Sequence, residues 1–405
     1  MSGPFKVQPS KFKVGVCLAR RVRLAVPALL NWFRRGPRDL PWRRTRDPYG
    51  IWVSEIMLQQ TQVKTVIPYW ERWMRKLPTL QSLAQARPEK VLKLWEGLGY
   101  YTRARNLQKA ARVVVEKHGG RFPGSFEEIL ALPGVGRYTA GAICSIAFNQ
   151  PAPVVDGNVT RVLCRLFCIR GDPKQKKINA RLWKLAESLV QEAAAIKQRP
   201  QLSTFTSQLS FNCSHLNQSL MELGAVICTP RQPKCADCPL RSHCVAYQKG
   251  CAGSLPNSGR RAATTARRYV ALVVERRGRF LVRQRAAGTV NAGLWEFPNV
   301  EVQARDRISL NTPTLEPLCT IRHSITRYRI SLEAFYVHSR QLKEALAVKS
   351  EIRNPKSEIK VSLLAFAAAR SDGCWLRLRD LRRLAFTGAH RKVLAALEAR
   401  ISSKR

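Results

Sequence analysis

Apolar positions recur every three or four residues from Leu24 to about Tyr247, broken only by short Pro and Gly punctuation. That period belongs to amphipathic helices, and it predicts helices over residues 48–59, 88–98, 102–117, 137–148 and 158–167. Almost nothing in this stretch alternates with period two. Residues 1–23 are basic and poorly patterned, which predicts a flexible tail. Residues 249–268 are rich in Gly, Ser, Ala and Arg and read as a linker. Beyond them the pattern changes: residues 269–275 and 279–285, joined around Gly278, predict a hairpin, and 327–337 alternates as a strand does. Helical spacing returns near 376–384 and 391–400. The chain therefore divides into an all-α domain over 24–248 and a smaller α+β domain over 269–401. Within the second, residues 349–360 repeat Lys-Ser-Glu-Ile with no apolar period to bury, which predicts an inserted surface loop.

Charge narrows the partner. Seventy Lys and Arg face twenty-seven Asp and Glu, a net +43 over 405 residues. A field of that size favours polyanions, and nucleic acid comes first, because no basic amphipathic helix with a wide apolar face offers itself to an anionic membrane. No run of about 18 consecutive apolar residues occurs, so no membrane partner is expected. Arg20, Arg21 and Arg23 interrupt the apolar stretch at 14–30, which speaks against a cleavable signal peptide. The twelve cysteines do not form a disulfide framework and suit a reducing, cytoplasmic compartment.

Four of those cysteines stand together as Cys228, Cys235, Cys238 and Cys244, with six, two and five residues between them. Pro230, Pro233 and Pro239 make the segment a tight loop rather than a core helix. Four thiolates so spaced can close one tetrahedral cage, for a [4Fe–4S] cluster or for structural zinc, and spacing alone does not separate the two.

Upstream, Leu132-Pro133-Gly134-Val135-Gly136-Arg137-Tyr138 sits between two helical patterns. Gly134 and Gly136 permit a tight hairpin, whose following helix start can bind a DNA phosphate through backbone N–H groups. Twenty residues after Gly136 comes Asp156-Gly157-Asn158, where Asp156 is a good N-cap and, at a helix mouth, a carboxylate aimed across a cleft. Glu55 has apolar neighbours at Ile51, Trp52 and Ile56; desolvation there would raise its pKa, as a general acid near neutral pH requires. The runs Gln59-Gln60-Thr61-Gln62 and Gly97-Leu98-Gly99-Tyr100-Tyr101 offer amides for base edges and a Gly-flanked wedge for a base stack.

Together, the hairpin, the downstream Asp and the four-cysteine loop resemble the endonuclease III superfamily of DNA glycosylases. Within it, Leu40-Pro41-Trp42-Arg43, the segment from Ser54 to Gln62, Gly97–Tyr101 and Asp156-Gly157-Asn158 resemble the MutY-type adenine DNA glycosylases. The resemblance implies a helix-hairpin-helix domain whose four cysteines hold [4Fe–4S], followed by a Nudix-like domain. It implies that Glu55 protonates the adenine, that Asp156 stabilises or covalently traps the oxocarbenium-like sugar, and that Asn158 and Tyr138 position both. Arg43, Leu58 and Gln218 match positions that line the adenine pocket; Gln60, Leu98 and Tyr100 match positions around the lesion. Strand-cutting relatives carry a Schiff-base lysine where this chain has Tyr138, so lyase chemistry by that route is not expected.

In the second domain, Leu294-Trp295-Glu296-Phe297-Pro298 and Phe386–Arg391 carry the Nudix-like resemblance. No Arg-Glu-x-x-Glu-Glu cluster follows Pro298, so this domain is expected to bind rather than hydrolyse. Where many members read Phe-Ser-His, this chain has Ile325-Thr326-Arg327, and Thr326 keeps the hydroxyl. The implied activity is monofunctional removal of adenine mispaired with 8-oxoguanine or guanine in double-stranded DNA, by a monomer of bacterial cytoplasm associated with the nucleoid. Two alternatives stand beside it: another glycosylase of the same fold, or a non-catalytic cluster-bearing DNA-binding protein.

Overall fold

The computed structural model describes residues 11–196, 212–257, 259, 263–302, 315–325, 327–340 and 373–403. Two compact units result, one of Met1–Gln85 with Asn106–Arg260 and one of Ala86–Arg105 with Arg261–Arg405. Thr326 and the repeat at 349–360 lie outside the described residues.

The first unit is helical. Helix α1 spans Lys11–Arg34, so residues 11–23 are not the tail that their charge suggested. Arg20 and Arg23 are exposed, while Val22, Ala25, Val26 and Leu29 form an apolar stripe between and beyond them. That stripe packs with α9 (Gly157–Leu166), α10 (Lys176–Ile196) and α11 (Asn212–Val226) into one core. Helix α2, Pro48–Leu58, starts at an Asp47 cap that accepts from the Tyr49 and Gly50 N–H groups, and nine of its eleven residues are buried. A helix covered on nearly all sides has no solvent face on which to place a charge, so Glu55 goes inside. α3 (Val63–Lys76) packs against α2, and α4 (Leu80–Gln85) and α6 (Thr102–Lys117) follow it in the chain.

Helices α7 (Phe126–Leu130) and α8 (Arg137–Ile146) form the predicted hairpin. Ser125 and Glu128 close a capping box on α7. Only the first loop glycine is sterically required: Gly134 has φ +76°, and a Cβ there would meet Asn106 Cβ at 2.6 Å, whereas one on Gly136 would meet nothing within 4 Å. The cysteine loop contains two 3₁₀ turns, Cys235–Asp237 and Arg241–His243, and runs into α12 (Val245–Gln248).

The second unit is a mixed sheet. Strands β1 (Thr265–Arg276), β2 (Arg279–Gln284), β3 (Trp295–Glu296), β4 (Asn299–Val302), β5 (Glu316–Ile325), β6 (Tyr328–His338) and β7 (Gly373–Arg377) are described, with the path β3-β2-β1-β6-β5. β1 and β6 run parallel; β4 and β7 pair antiparallel with β1 and β2. Residues 373–377, partly inside the expected helix 376–384, are extended, because Trp375 and Leu376 pair with Leu281 and Phe280; only Leu378–Leu381 (α13) is helical. Helix α14, Gly388–Ser403, lays Val393 and Leu397 on one sheet face with Phe297 and Phe386.

Residues 86–105 fall in this unit, apart from the rest of the predicted helical domain. They carry α5, Pro88–Trp95, and the loop after it. The helix stops short of the expected residue 98, because Gly97, Gly99 and Tyr100 all take positive φ. Within the unit, Phe386 N–H donates to Glu96 Oε1 at 2.8 Å and Lys93 Nζ donates to the Leu384 carbonyl at 2.7 Å.

Candidate active site

A cavity of about 700 Å³ opens in the helical unit. Its lining brings together Arg43, Glu55, Leu58, Gln60, Gly134, Gly136, Tyr138, Asp156, Asn158 and Gln218, which lie up to 175 positions apart in sequence. Leu98 and Tyr100 are in the other unit; Leu98 is buried and Tyr100 exposed. Gln60, also exposed, adopts φ +58° just past α2.

Glu55 is 5 % exposed. Burial pushes its carboxyl up to about 7, opposed by the hydrogen bond from Tyr138, with the Asp156 charge adding and Arg43 subtracting. The Tyr138 hydroxyl donates to Glu55 Oε2 at 2.6 Å and lies 3.3 Å from Met221 Sδ. Burial raises this phenol well above its ordinary value, so it keeps its proton and acts as a fixed donor.

Asp156 caps α9: its Oδ1 accepts from the Val159 N–H at 2.7 Å and its Oδ2 from Asn158 Nδ2 at 2.9 Å. Burial raises its carboxyl, while those hydrogen bonds and Arg161 pull it back. The capping role and a cleft-facing carboxylate are thus compatible in one residue, since a helix N-terminus favours negative charge. Arg161 supports this cap from behind, donating to Asn158 Oδ1 at 2.9 Å, to the Gly224 carbonyl at 2.6 Å and to the Cys228 carbonyl at 2.7 Å. Two glycines let the backbones close here. A Cβ on Gly141 would lie 2.2 Å from the Pro153 carbonyl oxygen, and one on Gly224 would lie 2.6 Å from Asn158 Cβ.

Arg43 is held rather than free. Its NH2 donates to Glu222 Oε2 at 2.9 Å, its NH1 to the Arg38 carbonyl at 3.0 Å, and its guanidinium lies 5.3 Å from the Phe33 ring centroid. Arg38 grips the same Glu222 through both carboxylate oxygens. Burial alone would lift Glu222, but the two guanidiniums hold it down at about 2. Sequence inspection missed Arg38, Glu222, Arg161 and the glycines Gly141 and Gly224. A usable signal existed for Glu222: it is a charged residue inside an otherwise apolar stretch of α11, four residues after Gln218. Gln218 itself turns its amide to Ser214 Oγ at 3.1 Å.

Of the four loop cysteines, Cys228, Cys238 and Cys244 pack against the helical core. Burial pushes the Cys238 thiol up to about 12 and also raises Cys244, and the thiols are near enough for their charges to act on one another. Arg165, 2 % exposed, donates to Cys228 Sγ at 3.3 Å and to the Thr229 and Pro230 carbonyls. Among the described residues no three His, Cys, Asp or Glu side chains converge as ligands of a single metal ion. A loop with four thiol donors, anchored by a buried cation, suits the charge of a thiolate-ligated group.

In the sheet unit, β5 ends at Ile325 and β6 begins at Tyr328. Arg327 is exposed there, with its guanidinium donating to Tyr328 Oη at 3.1 Å. Among the described residues no helix is long and apolar enough to cross a membrane.

Fold and cavity define the class: the chain matches the HhH-GPD superfamily of base excision DNA repair proteins over residues 53–188 and the NUDIX domain over 269–396. Its relatives include the adenine DNA glycosylases of mouse (41% identical over 331 residues, 69% of this chain and 61% of the relative) and human (42% over 335 residues, 69% and 58%). Adenine DNA glycosylase of Buchnera aphidicola subsp. Schizaphis graminum is 33% identical over 309 residues, 76% of this chain and 82% of the relative. The chain spans about three fifths of the length of the mammalian relatives. It belongs to the adenine DNA glycosylase family.

Proposed function

We propose that this chain is a monofunctional DNA glycosylase that hydrolyses the N-glycosidic bond of adenine mispaired with 8-oxoguanine or guanine, in base excision repair. The observation that carries the reading is Glu55: a buried carboxyl pushed up to about 7, in one cavity with Asp156. At neutral pH such a group is partly protonated and can deliver its proton to the departing adenine. As the bond to the sugar breaks, positive charge grows on the sugar, and the Asp156 carboxylate stabilises or traps it before water completes the exchange. Asn158 and Arg161 aim that carboxylate, while Arg43, Leu58 and Gln218 line the place of the base. Leu98, Tyr100, Gln60 and Thr326 meet the lesion and its vacated stack, and the Nudix-like unit binds the oxidised guanine.

Cys228, Cys235, Cys238 and Cys244 hold a [4Fe–4S] cluster, with Arg165 donating to one ligand sulfur. When bound, that cluster supplies organisation of the loop rather than bond-breaking chemistry. The protein acts on double-stranded DNA as a monomer, in bacterial cytoplasm near the nucleoid, as its net charge of +43 favours.

Single-turnover base release tests this on duplexes carrying A opposite 8-oxoguanine, A opposite G, and an oxidised pyrimidine. Fast release of adenine from the first two is expected. Release of the pyrimidine instead identifies another glycosylase of the fold, and duplex binding with no release identifies a non-catalytic DNA-binding protein.

A further inference from the structure

Two cysteines outside the four-thiol loop meet in the helical unit. Cys168 and Cys251 are 83 positions apart in sequence, yet their Sγ atoms lie 3.7 Å apart, and both side chains are half-buried. Each sits at a point that fastens the cysteine loop. Cys168 follows the last residues of α9 at φ +49°, a left-handed position that glycine occupies without strain, and the next N–H, from Ile169, returns to the Cys164 carbonyl at 2.8 Å. Cys251 follows α12, which begins directly after Cys244, and its N–H donates to the Ala246 carbonyl at 2.9 Å. The Arg165 carbonyl joins the two ends, accepting from the Cys168 N–H at 3.3 Å and from Cys244 Sγ at 3.5 Å.

We propose that Cys168 and Cys251 are a covalent modification site: they form a reversible disulfide when the protein meets a peroxide. One thiolate attacks a peroxide oxygen, the O–O bond breaks, and the sulfur becomes a sulfenic acid with loss of one water. The second thiolate then attacks that sulfur, the S–S bond forms, and the S–O bond breaks with loss of a second water. Two electrons pass from the thiols to one peroxide, and both thiol protons end in water. The sulfurs must close to about 2.0 Å, a movement within reach of side-chain rotation from their present separation. The ring so formed contains all four loop cysteines, because Cys228–Cys244 lies wholly between its two ends. Oxidation therefore ties the segment leaving the loop to the end of α9, whatever the loop holds.

Full-length protein, reduced and then titrated with hydrogen peroxide, is alkylated and digested without reductant. A linked peptide joining Cys168 to Cys251 is expected at low peroxide, reversed by dithiothreitol. The oxidised protein should melt higher by about 5 °C or more, as cross-linking a long loop constrains the unfolded chain. Cys251→Ser and Cys168→Asn, the latter tolerant of the left-handed backbone, should each abolish both the link and the shift. Separate alkylation of Cys168 and Cys251 after peroxide overturns the proposal. Cross-links confined to the four loop cysteines, or a shift that persists in Cys251→Ser, overturn it equally.

Discussion

The Tyr138 hydroxyl donates a 2.6 Å hydrogen bond to Glu55 Oε2, joining the helix after the hairpin loop to the buried centre of α2. The bond favours the charged carboxylate and works against burial, and the balance leaves Glu55 at about 7 rather than higher. One phenol thus tunes the acid across 83 positions of sequence.

Glu55→Gln should slow adenine release by about 10²–10⁴-fold, because the amide fills the same volume without a transferable proton. Affinity for the duplex should change little. Single-turnover rates beside a binding titration check this, and release at the wild-type rate refutes the assignment.

Base release should fall as pH rises through about 7, since Glu55 is useful protonated and its folded pKa lies there. Above that value the rate should drop by about tenfold per unit. The hydrogen bond from Tyr138 lowers this pKa, so Tyr138→Phe should move the falling limb to higher pH. Stability follows the same sign: the raised carboxyl contributes most below its unfolded value of 4.5, and that contribution is lost towards about 7. A pH–rate profile whose limb stays fixed in Tyr138→Phe counts against the coupling.

Adenine release should outrun strand cleavage in the unaltered protein, with abasic product persisting until heat or base is applied. No amine stands at position 138 to form an imine, so borohydride should trap little covalent product. Tyr138→Lys should increase both trapping and cleavage. If cleavage already keeps pace with release and Tyr138→Lys does not speed it, the monofunctional reading fails.

Gly224→Ala should be destabilising by about 1–3 kcal/mol, since its Cβ would lie 2.6 Å from Asn158 Cβ and 2.9 Å from the Asn158 backbone. The displacement of Asn158 from Asp156 should also lower turnover. Gly136→Ala, with nothing within 4 Å of the added carbon, serves as the control. Equal thermal midpoints for the two variants would show that α9 and α11 can part without consequence.

The purified protein should be brown and carry about four irons per chain, with visible thiolate-to-iron absorbance. Cys235→Ser should lose most of that colour and some solubility. Stoichiometric zinc in protein prepared without air decides against iron.

Local chemistry was legible along the chain because helices and strands write their period within a few residues. Residues 102–117 form α6 as that period predicts, and the hairpin lies between α7 and α8. Glu55 and Asp156, which the fold brings into one cavity, each stand in a short motif. Where a charge run interrupts the stripe, as at Arg20–Arg23, the period is hidden, and the first half of α1, residues 11–23, reads as tail. Where a residue's partner is remote, no local pattern exists. Trp375 is extended because it pairs with Leu281, and Arg38 and Arg43 are fixed by Glu222, 184 and 179 positions away. The same holds for the acid itself: apolar neighbours hinted at a poorly solvated Glu55, but its pKa depends on the burial of α2 within the fold and on the Tyr138 hydroxyl 83 positions away. Sequence determined which groups this protein can use; tertiary packing decided which are dry, which are paired, and which share a cavity, because desolvation and Coulomb interactions act through space and not along the chain.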